Sequence, residues 1–457
     1  MPNREQALAF AHENRDRFLE DLKALCTIPS ISTSPEYKAE VRRAAEWVAA
    51  HMRKIGLENV EVTETPGHPV VYGEWLHAGA DAPTVLVYGH YDVQPADPLD
   101  LWETPAFEPT VRGEKLYARG ATDMKGQVMA SLHAAEAMLR SGGAPVNLKF
   151  FIEGEEESGS INLAAYIREN KEKLACSVAL NPDTGMVAPD LPTITYALRG
   201  LVYFELKVFG PKGDLHSGVF GGVVHNPGQV MAELIAGMHD ADGRVTLPGF
   251  YDRVIDLDEA ERAELARLPI DETFYLQQSG APALWEGEKG YTAVERAGAR
   301  PTLEVNGLYS GFIGEGAKTV LPSYALAKIS CRLVPDQDPE EVAEQMRAYL
   351  KAHAPETVTW ELTVFPGPAR ASLSRIDSPG VQALAKAQET VWGKRPIFKR
   401  EGGSVPVVGD IQNILGVDVV NTGFALPGDN MHAPNESLHL PTWYKGIDAL
   451  THFFFNL

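Results

Sequence analysis

The sequence predicts an α/β protein whose mostly parallel sheet is flanked by helices, with a smaller α+β domain inserted into it. Three observations carry this. Strand-like apolar runs alternate with helical patterns as far as residue 197. From Leu201 to Phe365 the order becomes β-α-β-β-α-β, the ferredoxin-like pattern. After the punctuation Pro366-Gly367-Pro368, helix, strand and helix patterns resume. At 457 residues the chain exceeds one ordinary core, so more than one domain is expected. The boundaries expected are 1–197 and 368–457 for the split α/β domain and 198–367 for the insert.

The elements follow in order. Residues 4–25 and 36–55 read as amphipathic helices, the second stopped by Gly56. Val60–Thr65, Val70–Glu74 and Thr84–Tyr88 read as strands. Asp123 begins a helical pattern running to about Arg140. Val146–Ile152 is a β-branched and aromatic strand candidate, followed by a helix at Asn162–Asn170 and a strand near Ser177–Leu180. In the insert, Leu201–Phe209, Thr302–Gly307, Ser323–Val334 and Val358–Phe365 read as strands. Pro227–His239 and Pro339–Ala352 read as helices. Residues 241–300 interrupt the pattern with charged, Pro/Gly-rich stretches, and their role is not legible.

Bulk properties narrow the function classes. With 44% hydrophobic and 23% charged residues, the chain is that of a globular protein. A formal net charge of −21 argues against nucleic acid or an anionic membrane as partner. No run of about 18 apolar residues predicts a membrane span. The N-terminus lacks the apolar core of a signal peptide. Cys26, Cys176 and Cys331 form an odd set without CxxC spacing, which reads as reduced thiols; the expected location is cytoplasmic.

The chemistry concentrates in Phe151-Ile152-Glu153-Gly154-Glu155-Glu156-Glu157-Ser158-Gly159-Ser160, where an apolar strand ends in four carboxylates. Like charges this close are costly unless a cation compensates them, and divalent metal suits carboxylate and imidazole ligands. Three strand candidates end just before further polar residues: His90 and Asp92, Glu156 and Glu157, and Asp183. Open α/β sheets gather their sites at the carboxyl ends of strands. A two-metal hydrolase centre needs several ligands, a shared carboxylate and an activated water. His90, His432, Glu157 and Asp183 fit as ligands, Asp123 as the bridge, Asp92 as the residue orienting His90, and Glu156 as general base. Taken singly, each reads as a helix cap or a solvated charge; the joint pattern carries the argument.

Three motifs, His90-Tyr91-Asp92-Val93-Gln94-Pro95, Gly120-Ala121-Thr122-Asp123-Met124-Lys125-Gly126 and Glu153-Gly154-Glu155-Glu156-Glu157-Ser158-Gly159, resemble those of the dinuclear metallopeptidases. That family includes carnosinase, cytosolic nonspecific dipeptidase, aminoacylase and succinyl-diaminopimelate desuccinylase. The resemblance spans nearly the whole chain. It implies a catalytic α/β domain with an inserted lid and dimerisation domain. It implies His90 and Asp183 on one ion, Glu157 and His432 on the other, Asp123 between them, and a cis peptide after Asp123. The donor types suit Zn²⁺, with Mn²⁺ as the alternative.

The segment Asp214-Leu215-His216-Ser217-Gly218-Val219-Phe220-Gly221-Gly222 resembles the dipeptidase branch, which implies that His216 reaches the partner's active site in a homodimer and stabilises the oxyanion. Gly316-Ala317-Lys318-Thr319-Val320-Leu321-Pro322 is similar to a family motif and brings in Thr319. Arg332 suits a substrate carboxylate, or a strand-edge salt bridge. Arg400-Glu401-Gly402-Gly403-Ser404 resembles a substrate-facing turn, with Gly403 and Ser404 as substrate contacts. The activity implied is hydrolysis of dipeptides. The alternatives are removal of an acyl or succinyl group from an amino acid by the same machinery and, from another class, a non-catalytic binding protein on this scaffold.

Overall fold

A computed structural model describes residues 1–457, which divide into two compact units: Met1–Tyr196 with Leu373–Lys399 and Asp410–Leu457, and Ala197–Ser372 with Arg400–Gly409.

In the first unit, Asn147–Glu153, Thr84–His90, Val178–Asn181 and Val419–Asn421 lie side by side and parallel. Val70–Trp75 and Glu58–Thr63 extend the sheet antiparallel past Asn147–Glu153. Every residue of Asn147–Glu153 is buried, as are Val85 to His90. Such continuous burial is what a parallel strand covered on both faces requires. The register sets His90 beside Glu153, so two strand ends reach the same height in the sheet.

Helix Gly126–Arg140 is buried over nearly its whole length, with Arg4–Glu13, Arg15–Cys26 and Leu440–Asn456 packed on it. Lys38–Ile55 ends at Gly56, whose φ of 107° is the left-handed cap that glycine adopts at least cost. No helix is long and apolar enough to cross a membrane.

Two sequence expectations change here, and one sheet is new. The single helix over 4–25 is two helices, because Asn14 leaves helical geometry at φ −105°, ψ 13°. The helix expected from Asp123 begins at Gly126; Asp123 and Met124 have extended and bridge-like backbone, joined by a cis peptide. A small antiparallel sheet of Thr110–Arg112, Lys115–Tyr117 and Ser437–His439 went unread, since three-residue strands carry too little periodicity.

The second unit is built on an antiparallel sheet in the order Thr302–Ser310, Tyr324–Leu333, Gly200–Phe209, Thr359–Val364. Helices Pro227–Gly237 and Pro339–His353 pack on it. Alternation along Gly200–Phe209 sends Val202, Phe204, Leu206 and Val208 into that core. Residues 241–300 hold three short helices, Glu259–Leu265, Glu272–Ser279 and Ala293–Ala299. Their N-caps are Asp258, Asp271 and Thr292, each accepting a backbone N–H.

Candidate metal centre

Three strand ends and two loops of the first unit bring seven sequence-selected residues together. His90 closes its strand and is fully buried. Its Nδ1 lies 3.1 Å from the carbonyl oxygen of Asp92 and 3.3 Å from Asp92 Oδ1. The Asp92 carboxylate also accepts the backbone N–H groups of Glu156 at 3.3 Å and Glu157 at 3.1 Å. One buried side chain thus ties the end of Thr84–His90 to the turn after Asn147–Glu153. That turn depends on Gly154, because a Cβ there would run into the Tyr91 ring and hydroxyl.

Asp123 stands between the two histidines. Its Oδ2 is 2.8 Å from His432 Nε2 and its Oδ1 is 3.3 Å from His90 Nε2. Asp183 Oδ2 is 3.8 Å from His90 Nε2, and Glu157 Oε2 is 3.3 Å from His432 Nε2. Potential ligand atoms cluster within 4.8 Å as His90–Asp123–Asp183, as Asp123–Glu157–His432 and as His90–Glu156–Glu157, and Asp123 belongs to the first two triads. His90 Nε2 is buried with no hydrogen-bond partner, a lone pair or proton that the protein itself leaves unanswered. Carboxylate and imidazole donors in two triads sharing one carboxylate fit a pair of divalent ions.

The electrostatics point the same way. Burial pushes the Asp183 carboxyl up to about 7 against the pull of His90, with Asp123 and Glu157 adding to the rise. Burial likewise drives Glu156 well above the usual carboxylate range, helped by Asp183 and Glu157. Burial opposes ionisation at Asp123 too, yet contacts with His432 and His90 hold its carboxyl below the ordinary range. Asp123 and Glu157 raise His432 to about 10. These carboxylates draw positive charge onto both imidazoles, and a bound cation supplies that charge while leaving the imidazoles neutral as ligands.

The four carboxylates of the 153–157 run separate by role. Glu153 accepts hydrogen bonds from Tyr88 and Ser160 at 2.7 and 2.9 Å, and burial pushes it to about 8. Glu155 accepts from the backbone of His68 and Asn162. Both shape the turn. Glu157 accepts from Gln94 Nε2 at 2.8 Å, whereas the Glu156 side chain has no hydrogen-bond partner.

Sequence reasoning missed the support beneath Asp123. Glu436, fully buried, accepts from Arg119 Nη1 at 2.7 Å and from the backbone N–H groups of Gly120, Thr122 and Asp123 at 2.9, 3.0 and 3.1 Å. Asp429 accepts from Thr122 Oγ1 at 3.3 Å and Leu426 N–H at 2.8 Å. Only their closeness to His432 in the sequence hinted at either.

The remaining expected residues lie in the second unit. His216 is exposed, and its Nδ1 accepts the Gly218 N–H at 3.0 Å. The next residue, Ser217, donates its N–H to the Thr319 carbonyl. Arg332 Nη1 donates to Ser404 Oγ at 2.8 Å and has no carboxylate partner, so the salt-bridge reading of Arg332 does not hold. Gly403 contributes its carbonyl to the Arg199 N–H.

Comparison with known proteins agrees with this architecture. Residues 86–456 match the model of peptidase family M20/M25/M40. A Cys-Gly metallodipeptidase of Candida albicans is 32% identical over 96% of this chain and 94% of its own length. The human Beta-Ala-His dipeptidase is 30% identical over 99% of this chain and 92% of its own. An M20 family metallo-carboxypeptidase from Sulfolobus solfataricus superposes with a TM-score of 0.85 at 33% identity, covering 96% of this chain and 98% of that one. Their agreement along nearly the full length, over a fold whose strand ends assemble two triads around Asp123, shows that the chain belongs to peptidase family M20/M25/M40, on the branch that holds its dipeptidases.

Proposed function

We propose that this metal-dependent peptidase hydrolyses dipeptides at the centre built around Asp123. The observation that carries the reading is the membership of Asp123 in both ligand triads, with the Glu156 carboxylate beside them and free of hydrogen bonds. His90 and Asp183 would hold one ion, Glu157 and His432 the other, and Asp123 both. Zn²⁺ is the ion we assign, with Mn²⁺ compatible with the same donors. When bound, two such ions polarise a scissile carbonyl and make water more acidic.

Glu156 takes a proton from the attacking water as its oxygen joins the carbonyl carbon. It then gives that proton to the leaving nitrogen as the C–N bond breaks. Asp92 keeps the His90 ring in one orientation and the Glu156 turn in register. Arg332 and Ser404 hold the terminal carboxylate of the substrate, with Gly403 and Thr319 as further contacts; the lack of a carboxylate partner at Arg332 supports this. His216, supplied by the second copy in a homodimer, donates to the developing oxyanion. The inserted unit serves as lid and dimerisation surface. The exposed side chains of Val219, Val223, Leu308 and Ile313, and the edge position of Thr302–Ser310, support such a surface. We place the enzyme in the cytoplasm, where its three free cysteines remain reduced.

The deacylase alternative uses the same machinery, and the Sulfolobus relative is named a metallo-carboxypeptidase. A panel of free dipeptides, N-acetyl and N-succinyl amino acids and N-blocked dipeptides, assayed after chelation and after return of Zn²⁺ or Mn²⁺, separates these. Metal-restored cleavage of free dipeptides is the expected result. Turnover confined to N-blocked or acylated substrates would overturn the dipeptidase reading.

A further inference from the structure

The segment 241–300, for which sequence reading found no role, walls a cavity of about 480 Å³ in the second unit. Four arginines line it: Arg199, Arg296, Arg300 and Arg332. Arg300 is answered by Glu288, which accepts from its Nε at 2.8 Å and Nη2 at 2.6 Å. The other three have no carboxylate partner. Arg199 donates to the carbonyls of Gly402 at 3.0 Å and Arg300 at 3.3 Å. Arg296 donates to the carbonyls of Trp285, Glu286 and Tyr291. Arg332 donates to Ser404 alone. The remaining carboxylate on the lining, Glu304, is solvent-exposed.

Guanidinium groups drawn partly out of water are costly without a bonded counter-charge; burial lowers the pKa of Arg332 with nothing opposing it, and burial and Arg332 lower that of Arg199 against the pull of Glu401 and Glu304. Anions relieve that cost. A single terminal carboxylate at Arg332 leaves two cations and most of the volume unused. Tyr275, Leu284 and Trp285 supply apolar walls suited to a short methylene chain.

We propose that this cavity receives the side chain of the substrate's C-terminal residue and selects an acidic one, Arg332 taking the terminal carboxylate while Arg199 and Arg296 take the side-chain carboxylate. The preferred substrates are dipeptides ending in glutamate or aspartate. This rests on the dipeptidase reading and on Arg332 as the terminal-carboxylate site.

The test is a matched series, Ala-Glu, Ala-Gln, Ala-Leu and Ala-Gly, assayed with the metal-loaded enzyme. Glu and Gln side chains have almost the same shape and differ in charge. Ala-Glu should exceed Ala-Gln in kcat/KM by about tenfold, the effect of one charge-assisted hydrogen bond over a neutral one. Arg199→Gln should shrink that ratio towards one and Arg199→Lys should recover part of it; Arg296→Gln provides an independent variant if the first fails to fold. In calorimetry, free L-glutamate should bind more tightly than L-glutamine. Equal or better cleavage of Ala-Gln with all four substrates turned over would overturn the acidic pocket and leave the dipeptidase reading standing. Cleavage of none of them, alongside turnover of acylated substrates, would remove both.

Discussion

At the scale of single residues, Glu156 and Glu157 differ only in what touches them. Glu157 is held by Gln94 and lies beside His432, whereas Glu156 is half-buried, with a carboxylate that has no hydrogen bond and is free to exchange a proton. Glu156→Gln therefore should keep both ions yet lower kcat by at least about a hundredfold, the usual contribution of a general base; metal analysis alongside turnover checks this, and retained turnover would remove Glu156 from the role. Asp92 acts one step back. Asp92→Asn should weaken metal binding by about 10- to 100-fold through a loosened His90 and a freed Glu156 turn, measured by competition with a chelator of known affinity.

At the scale of elements, the loop carrying Asp123 is held from below by Glu436. Glu436→Gln leaves Arg119 buried against a neutral partner and weakens three backbone contacts. A stability loss of about 3 kcal/mol is expected in denaturant unfolding, the scale of a broken buried ion pair. A second element-level feature lies between helices Lys38–Ile55 and Gly126–Arg140. There His51 and His133 are buried with ring nitrogens that find no hydrogen bond, and His133 stacks on Phe18 at 3.9 Å.

Burial pushes His51 from 6.5 down to about 4, with His133 adding, and burial lowers His133 as well. Asp21 and Glu136, which pull upwards, are themselves paired to Lys54 and Arg17. Both rings are neutral in the fold, while the unfolded chain takes up protons near 6.5. Their contribution is therefore intact above about 6.5 and is lost as pH falls towards 4. Melting temperatures at pH 7 and pH 5 should show the drop, and His133→Phe, which keeps the stack, should make it shallower.

At the scale of the whole molecule, the proposed homodimer makes each active site depend on two copies of the chain. His216→Ala and Glu156→Gln should each be inactive alone. Mixed, they should regain about a quarter of the activity, since half the dimers are hybrids with one intact site. No recovery after verified subunit exchange would end the cross-subunit assignment of His216.

The same scale shows why part of this protein was legible in its sequence. Thr84–His90, Asn147–Glu153 and Val178–Asn181 are apolar runs that stop at or just before the residues gathered around Asp123, so position and chemistry announced each other. The ferredoxin-like order of the insert was equally plain from alternation and helix-start prolines. Glu436 was not readable, nor was the bond from Gln94 to Glu157, because a lone carboxylate or amide in a loop looks like a solvated group until folding shows its partners. Residues 241–300 were opaque because helices of seven or eight residues carry almost no periodic signal. The break at Asn14 was hidden by helical patterning on both sides of it.

The bond from the Asp123 amide to Glu436 spans 313 positions of the chain, and His432 lies 309 positions beyond Asp123. During synthesis these partners emerge long after the strands they complete. A ribosome-bound chain displays His90, Asp123, Glu157 and Asp183 for many seconds at about 5–20 residues per second before His432 and Glu436 exist. Until then Asp123 lacks both His432 and the three-amide cradle that Glu436 builds around its loop. An interrupted chain would therefore carry the His90–Asp123–Asp183 cluster without the Asp123–Glu157–His432 one.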